Sequence, residues 1–334
     1  MIKRRDVIPL AALGAVGVYA ATRQEKRRSI PALPSAVAVV KAADYEADLT
    51  GQMARGIAEC GLDVRGKRVL LKPNLVEFDA ATCINTDARV VAAAVEVFER
   101  MGAAEVLIGE GPGHRRDTWD LAEQAGYRSI IPNFDRRFTD LNRDDVELVK
   151  SFIDGDDLFF PATVLRAEVI VSLAKMKTHH WAGATLSMKN FFGIVPGNVY
   201  GWPKNQLHFY GINESIIALH RVFGPKSFAV VDGIVGMEGN GPIQGSPKPV
   251  GVLVMGSDLV AVDSTCCRIM GLIPEKLSYL TDSSYGNLTT DGIQQRGEKV
   301  IQVTKSFQVM PAFRHLVASS GGTTILPGLS TPPL

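Results

Sequence analysis

The segment 168–180 reads EVIVSLAKMKTHH, an apolar run of strand length that passes directly into lysines and histidines. Its first part, Glu168–Leu173, is short and rich in β-branched residues, as is typical of a strand buried on both faces. Other short apolar runs alternate along the chain with amphipathic segments of helical period. This alternation predicts the α/β class: a mostly parallel, doubly wound sheet with helices on both faces and a small inserted segment.

The other predicted elements follow from the same two periods and from the glycines and capping residues that bound them. The further strands are Ala36–Val40, Arg68–Leu71, Glu105–Ile108, Phe228–Val231, Val250–Met255 and, at an edge, Ile301–Val303. The helices are Asp48–Cys60, a segment capped by Thr86 and ended by Gly102, Asp117–Ala125, Thr185–Phe192 and Asp258–Met270.

Composition and the positions of glycine and proline divide the chain into four parts. Residues 23–35 are charged and then proline-containing, which predicts a linker after an N-terminal segment of residues 1–22. Residues 36–318 are predicted to form a single α/β domain, in which the irregular, charged stretch 133–160 is an inserted subdomain. Residues 319–334 are rich in Gly, Thr and Pro, which predicts an extended tail.

Residues 1–22 have the pattern of an export segment. Lys3, Arg4 and Arg5 precede an apolar run from Val7 to Ala21 that is short for a bilayer span. The arginine pair indicates a twin-arginine-like signal peptide, and the basic residues after the run fit an uncleaved N-terminal anchor equally well. We therefore expect a bacterial protein in the periplasm or anchored to the outer face of the cytoplasmic membrane, touching the membrane only through this segment.

The charge balance and the cysteines argue against two classes of function. The 36 Lys and Arg residues nearly balance 35 Asp and Glu residues, so we expect no nucleic-acid partner. The four cysteines contain no CxxC spacing, so we expect no iron–sulfur cluster in this chain. Cys266 and Cys267 are interpreted as packing residues, whereas a Cys60–Cys83 disulfide is left open.

Polar residues cluster directly after the predicted strands. Lys72 follows the strand that ends at Leu71, and the segment Gly109–His114 follows the strand that ends at Ile108. Because the carboxyl ends of parallel strands share one edge of a sheet, where ligands bind, these residues are expected to line a common site. Lysines supply charge for a phosphate or carboxylate, glycine N–H groups can cradle an anion, and carboxylates can accept protons or bind a metal.

The pattern assigns roles to eleven residues. The predicted catalytic residues are Lys177, His179, Asp232 and Glu238. The predicted substrate-binding residues are Lys72, Asn74, Lys175, Lys189, Asn190, Gly239 and Gly241. For a divalent metal of unknown identity, the candidate ligands are Asp232, Glu238 and His179.

Some of these features also have purely structural interpretations. The pair Asp232-Gly233 is common in turns, and Asp258 is most simply a helix N-cap. Asp263 lies among apolar residues of the following predicted helix, so its carboxylate requires a partner, for which the lysines are candidates.

The order of these segments resembles the domain-of-unknown-function 362 family over roughly residues 36 to 275. The resembling segments are Leu71–Asn74, Ser172–His179, Met188–Gly193, Asp232–Pro242 and Asp258–Asp263. The family has no settled activity. Many members carry a ferredoxin-type module with clustered cysteines, which this chain lacks, and some members carry a twin-arginine leader. The Lys- and His-rich loop is also distantly similar to the lactate racemase family, which implies a nickel pincer cofactor.

Three functional hypotheses follow. The first is an exported enzyme that acts on an anionic small molecule, with metal assistance. The second is a non-catalytic periplasmic protein that binds a ligand or cofactor in the same cleft. The third is a redox accessory protein that works with a separate iron–sulfur partner.

Overall fold

Six of the eleven strands described lie at predicted apolar runs, and these strands are longer than the runs. The structure, a computed structural model, describes residues 33–318, so the predicted leader, the tail and residues 23–32 lie outside the described residues. The strands are β1 (Ser35–Lys41), β2 (Arg68–Pro73), β3 (Glu105–Glu110), β4 (Phe138–Asp140), β5 (Val146–Ile153), β6 (Asp156–Pro161), β7 (Val169–His179), β8 (Gly183–Thr185), β9 (Ser227–Asn240), β10 (Gln244–Gly256) and β11 (Ile293–Gly297).

Helices connect most of these strands, and the longer ones have apolar residues on one face. The helices are α1 (Leu49–Glu59), α2 (Ala88–Arg100), α3 (Thr118–Gln124), α4 (Tyr127–Ile130), α5 (Phe134–Arg137), α6 (Ala162–Arg166), α7 (Ser187–Asn190), α8 (Gly197–Tyr200), α9 (Asn205–Phe209), α10 (Ile212–Phe223), α11 (Leu259–Ile269), α12 (Ser278–Thr281) and α13 (Val300–Val303). Short 3₁₀ turns follow α7, α10 and α11 and precede β11 and the end of the described chain.

The main sheet is mixed and mostly parallel, which confirms the predicted α/β class. Its strand order is β11-β1-β10-β9-β7-β2-β3-β4, and β8 pairs with β7 beside this path. The pairs β1–β11, β2–β3, β2–β7, β3–β4 and β7–β9 are parallel. The pairs β1–β10, β9–β10 and β7–β8 are antiparallel.

The sheet separates two hydrophobic clusters. Leu71 and Val171 pack on one face with residues of α1 and α2, whereas their neighbours Leu70 and Ile170 pack on the other face with residues of α10 and α11. Successive side chains of a strand point to opposite faces, so strands this apolar must be covered on both sides. This explains why the strands read as continuous apolar runs.

Three central strands extend past the ends that the sequence predicts. β7 continues from Leu173 to His179 because β8 and β9 supply partners on both sides of the extension. β9 and β10 form one long antiparallel hairpin, so the predicted loop from Asp232 is mostly strand. The polar residues after Val231 therefore alternate across a sheet and do not gather in one loop.

Several local predictions are corrected or confirmed. The helix after Thr86 begins at the N-cap Asp87, and Thr86 instead donates its hydroxyl to the Leu173 carbonyl at 2.6 Å. Asp258 is the N-cap of α11, as predicted. The edge strand is β11, whereas the predicted strand Ile301–Val303 belongs to α13.

The stretch 133–160 and the cysteines are placed as follows. The stretch contains α5, β4, which joins the main sheet, and most of the separate β5–β6 hairpin. Cys60 and Cys83 are free thiols, so the disulfide left open by the sequence is not formed. Cys266 and Cys267 are buried, as predicted.

In the part of the chain that the structure describes, no helix has both the length and the apolar character to cross a bilayer.

A buried carboxylate fixes the position of α7. Asp263 of α11 accepts hydrogen bonds from the Ser187 N–H at 2.8 Å, the Ser187 hydroxyl at 2.5 Å and the Met188 N–H at 3.0 Å. Burial raises the pKa of Asp263 to about 7, and these donors oppose that rise. None of the lysines described contacts Asp263 within ion-pair distance, so its partner is the start of a helix.

We expect Asp263→Asn to lower the free energy of unfolding by about 1–3 kcal/mol. The amide NH₂ of asparagine would face a backbone N–H that now donates to the carboxylate. Urea unfolding measures the change, and Asp291→Asn, at an exposed site, is the control that should stay within about 0.5 kcal/mol of wild type. Equal stability of the two variants would show that Asp263 does not anchor α7.

Candidate functional site

A cavity of about 1330 Å³ opens beyond the carboxyl ends of β2, β3 and β7. The loop before α9, the β9–β10 turn and the final 3₁₀ turn complete its wall. Six of the eleven predicted site residues line it, namely Lys72, Asn74, Lys177, His179, Lys189 and Asn190. Strand ends distant in sequence therefore meet at one site.

A buried ion pair lies at the base of the cavity. Lys72 Nζ is 2.6 Å from Glu110 Oε2, and both side chains are almost fully buried. Asn190 Oδ1 accepts from Lys72 Nζ at 3.2 Å, while Asn190 Nδ2 donates to the Lys72 carbonyl at 3.0 Å. An alanine Cβ at Gly193 would lie 2.1 Å from Glu110 Oε1, so only glycine fits beside this pair. Lys72 is thus already neutralised by a carboxylate.

Two further lysines are held by backbone carbonyl groups. Lys177 Nζ donates to Ile84 O at 2.8 Å and to Pro242 O at 3.2 Å. Lys204 Nζ donates to Gly111 O at 2.6 Å and to Phe192 O at 3.1 Å. Carbonyl oxygens orient an ammonium group without cancelling its charge, so both lysines remain net cations when protonated.

Lys189 differs from the other three lysines. Its Nζ lies 3.5 Å from the centre of the Phe192 ring, and it has no hydrogen-bond acceptor or carboxylate partner among residues 33–318. The side chain is half-buried and lines the cavity. Its N–H groups are therefore available to a molecule in the cavity.

Burial controls the charge of these lysines. It lowers the pKa of Lys177, Lys189 and Lys204 to about 7 in each case. The positive charge of Lys72 lowers the pKa of Lys189 further, and that of Lys175 lowers the pKa of Lys177 further. The cavity thus holds three lysines that are easily deprotonated, and a bound anion would stabilise their charged forms.

The hydrogen bonds of His179 define its tautomer. Its Nδ1 accepts from the Trp181 N–H at 3.0 Å and the Ala182 N–H at 3.1 Å, so the proton of the neutral ring is on Nε2. Burial and the nearby charge of Lys189 hold the pKa of His179 well below its usual range. His179 is therefore a neutral hydrogen-bond donor, because neither nitrogen of this tautomer offers a free lone pair.

His180 has the opposite tautomer. Its Nδ1 lies 2.8 Å from Gly241 O, which can only accept, so Nδ1 carries the proton and Nε2 has a free lone pair. The two adjacent rings are stacked, with centroids 4.9 Å apart. Both residues line the cavity, which thereby contains one neutral donor and one acceptor of protons.

Lys175 and Asp232 do not line the cavity, in contrast to the prediction. They form an ion pair at 2.9 Å that is fully buried within the sheet, where β7 and β9 place them side by side. The Tyr45 hydroxyl donates to Asp232, and the Asp87 N–H donates to it at 3.2 Å. The Asp232 carboxylate is satisfied by these partners, so the structure does not present it to a substrate.

Three further predicted residues do not line the cavity, namely Glu238, Gly239 and Gly241. Glu238 accepts from the Gln308 N–H at 2.9 Å and pairs with Lys248 at 3.1 Å. Gly239 O accepts from the Thr178 hydroxyl, and an alanine Cβ at Gly241 would lie 2.1 Å from Thr178 O. These contacts hold the β9–β10 hairpin against β7.

The predicted metal ligands do not fit a metal ion. Asp232 and Glu238 are engaged outside the cavity, and Nε2 of His179 carries a proton. The described residues contain no group of three or more His, Cys, Asp or Glu side chains arranged to hold a metal. The nickel cofactor implied by the lactate racemase resemblance stays a prediction, because a pincer cofactor brings most of its own metal ligands.

Three residues of the wall received no individual role in the sequence analysis. Glu110 lies in the segment Gly109–His114, which was expected to line the site, but its pairing with Lys72 was not predicted. His180 was passed over in favour of His179. Lys204 follows no strand, and it has a left-handed backbone with φ of 64°, so no sequence pattern indicated it.

One curated relative is similar over much of the domain. A thylakoid-associated protein of Synechocystis sp. is 30% identical over 221 residues, which are 63% of this chain and 64% of that protein. The chain thus spans less than two thirds of the length of this relative.

Two solved structures are similar at low identity. The lactate racemase apoprotein of Thermoanaerobacterium thermosaccharolyticum matches with a TM-score of 0.46 and 13% identity, over 72% of this chain and 58% of that chain. A structural-genomics protein of Thermotoga maritima matches with a TM-score of 0.37 and 12% identity, over 65% of this chain and 57% of that chain. Similarities at this level do not indicate a shared activity.

A family model described as a domain of unknown function, DUF362, matches residues 69–268. The match runs from β2 to α11 and contains all of the predicted site residues. The chain therefore belongs to the domain-of-unknown-function 362 family.

Proposed function

We propose that this protein is an enzyme that binds an anionic small molecule in the cavity and acts on it. The observation that carries the proposal is the excess of cations on the wall. Lys177, Lys189 and Lys204 lack a carboxylate within 4.0 Å among the described residues, and the Lys72 charge is matched only by Glu110. Buried cations are costly without a counter-charge, so a bound carboxylate or phosphate would complete the site.

The rest of the wall favours an organic ligand. Phe192, Ile212, Ile243 and Met310 face the same cavity as the lysines. A small inorganic ion would leave this apolar surface uncovered, whereas an organic anion would bury it. Its charged group would contact the lysines and its carbon skeleton the apolar wall.

The two histidines support catalysis. A neutral Nε2–H donor at His179 can stabilise negative charge on a carbonyl oxygen, and the free Nε2 of His180 can accept a proton.

The withdrawal of Asp232 and Glu238 into the scaffold favours the second candidate, a non-catalytic binding protein. Conversion of captured ligand in a single turnover supports the enzyme, and release of unchanged ligand supports the binding protein. A separate redox partner stays a prediction.

We expect Lys177→Met to weaken binding of sulfate or pyruvate by about 10- to 100-fold, the equivalent of one charge-assisted hydrogen bond. Isothermal titration calorimetry measures the affinity. Lys226→Met is the matched control, because Lys226 also donates to backbone carbonyls, those of Val164, Leu165 and Ala167, but lies outside the cavity. Equal affinity of both variants and wild type would refute the anion site.

Sulfate affinity is expected to fall as the pH rises above about 7. Free-state lysines with a pKa of about 7 are charged below that pH, and bound sulfate raises their pKa by stabilising the ammonium form. Binding near pH 8 should therefore take up protons, which calorimetry in buffers of different ionisation enthalpy detects. Constant affinity between about pH 6 and pH 9, with the fold intact by circular dichroism, would contradict the lysine assignment.

The export proposal rests on residues 1–22 of the sequence. We expect Arg4→Lys combined with Arg5→Lys to retain the protein in the cytoplasmic fraction, because the twin-arginine route requires the arginine pair. Arg27→Lys combined with Arg28→Lys changes an equivalent basic pair after the apolar run and should leave export unchanged. Cell fractionation with immunoblotting compares them, and identical distribution of both variants would argue against this route.

A further inference from the structure

The four lysines of the cavity are of two kinds. Lys72 donates hydrogen bonds to three fixed oxygens of the protein. Lys177 and Lys204 donate to two each, so each of them keeps one N–H for an anion. Lys189 makes no such bond within residues 33–318 and lies against the face of Phe192. A lysine without acceptors can present its nitrogen lone pair to a ligand once it loses its proton, and this property is required of a nucleophile.

We propose that Lys189 is a covalent catalytic residue whose Nζ forms a protonated imine with an aldehyde or ketone that carries a carboxylate or phosphate. This inference rests on the proposed function, because the anionic group would be held by the other lysines. The ligands of the cavity would then be anionic carbonyl compounds.

The position of Lys189 supports this role. The charge of Lys189 lowers the pKa of Lys177 and Lys204, so its Nζ lies near the two lysines that would hold the anion. It also lowers the pKa of His179 and His208, which places it beside both rings. The charge of Lys72 lowers the pKa of Lys189 itself. Lys189 shares a pKa of about 7 with Lys177 and Lys204, but it alone among these three has no oxygen acceptor within residues 33–318, so only its nitrogen is unrestrained by hydrogen bonds.

The helix of Lys189 is fixed at both ends. Asp263 binds its first N–H groups, and Asn190, the next residue, is held by Lys72 and Ser172. The backbone of the nucleophile is therefore rigid while its amine stays free, a combination that holds the amine near a bound carbonyl carbon.

The covalent step balances without an oxidant or reductant. The lone pair of neutral Nζ forms the N–C bond while the carbonyl π pair moves to oxygen, and one amine proton is transferred to that oxygen to give a carbinolamine. A second proton, supplied by the solvent, lets the oxygen leave as water. The nitrogen lone pair then closes the C=N bond, and the product is the protonated imine.

Reductive trapping tests the proposal. The full-length protein is incubated with pyruvate and cyanoborohydride, and peptide mass spectrometry locates and quantifies the adducts. We expect labelling concentrated on Lys189 that rises with pH only up to about 7 and then levels off. Exposed lysines, with a pKa near 10.4, should instead gain about tenfold per pH unit throughout this range. Methyl pyruvate, which has the carbonyl but no charge, should label Lys189 more slowly.

Lys189→Arg separates the imine from anion binding, because arginine keeps the charge and removes the nucleophile. We expect this variant to lose the adduct and retain sulfate binding, while Lys226→Arg behaves as wild type. Labelling spread evenly over surface lysines, or no adduct despite intact sulfate binding, would overturn the imine alone. Equal labelling by methyl pyruvate and pyruvate would overturn the requirement for an anionic group. If the wild-type protein neither formed the adduct nor bound sulfate, this inference and the proposed function would both be wrong.

Discussion

The cavity depends on the anchoring of one four-residue helix by buried polar groups. Asp263 accepts the first N–H groups of α7, and the Asn190 amide, in its last residue, bonds to Lys72 and Ser172. A helix this short has little intrinsic stability, so its position must come from such tertiary contacts. Because Lys189 lies between the two anchors, the structure of α7 sets where the cavity receives its free amine.

The fold neutralises lysines selectively. Lys175 is paired with Asp232 inside the sheet and Lys72 with Glu110 at the base of the cavity, so these charges stabilise the scaffold. Among the described residues, the other lysines of the wall contact only carbonyl oxygens or, in the case of Lys189, the ring of Phe192. Positive charge is thus concentrated where a ligand can enter, and stability and binding use separate sets of cations.

Two neighbouring histidines acquire different properties from the backbone around them. His179 accepts N–H groups of the following turn, whereas His180 donates to a carbonyl of the β9–β10 turn. The remaining ring nitrogens, Nε2 in both residues, are consequently a donor in His179 and an acceptor in the neutral ring of His180. Identical side chains at adjacent positions can therefore present a hydrogen-bond donor and a hydrogen-bond acceptor to the same cavity.

The sequence by itself determined the α/β class and most of the lysine wall, because hydrophobic period is a local property and the carboxyl ends of parallel strands share an edge. Only the tertiary structure decided which polar residues face the cavity. β7 and β9 continue past their apolar runs because partner strands extend them, and this pairing withdraws Asp232 and Glu238 into the scaffold. Lys204 joins the wall through a loop whose conformation depends on packing against distant segments. Strand length and ion pairing are set by neighbours remote in sequence, so no local pattern could reveal them.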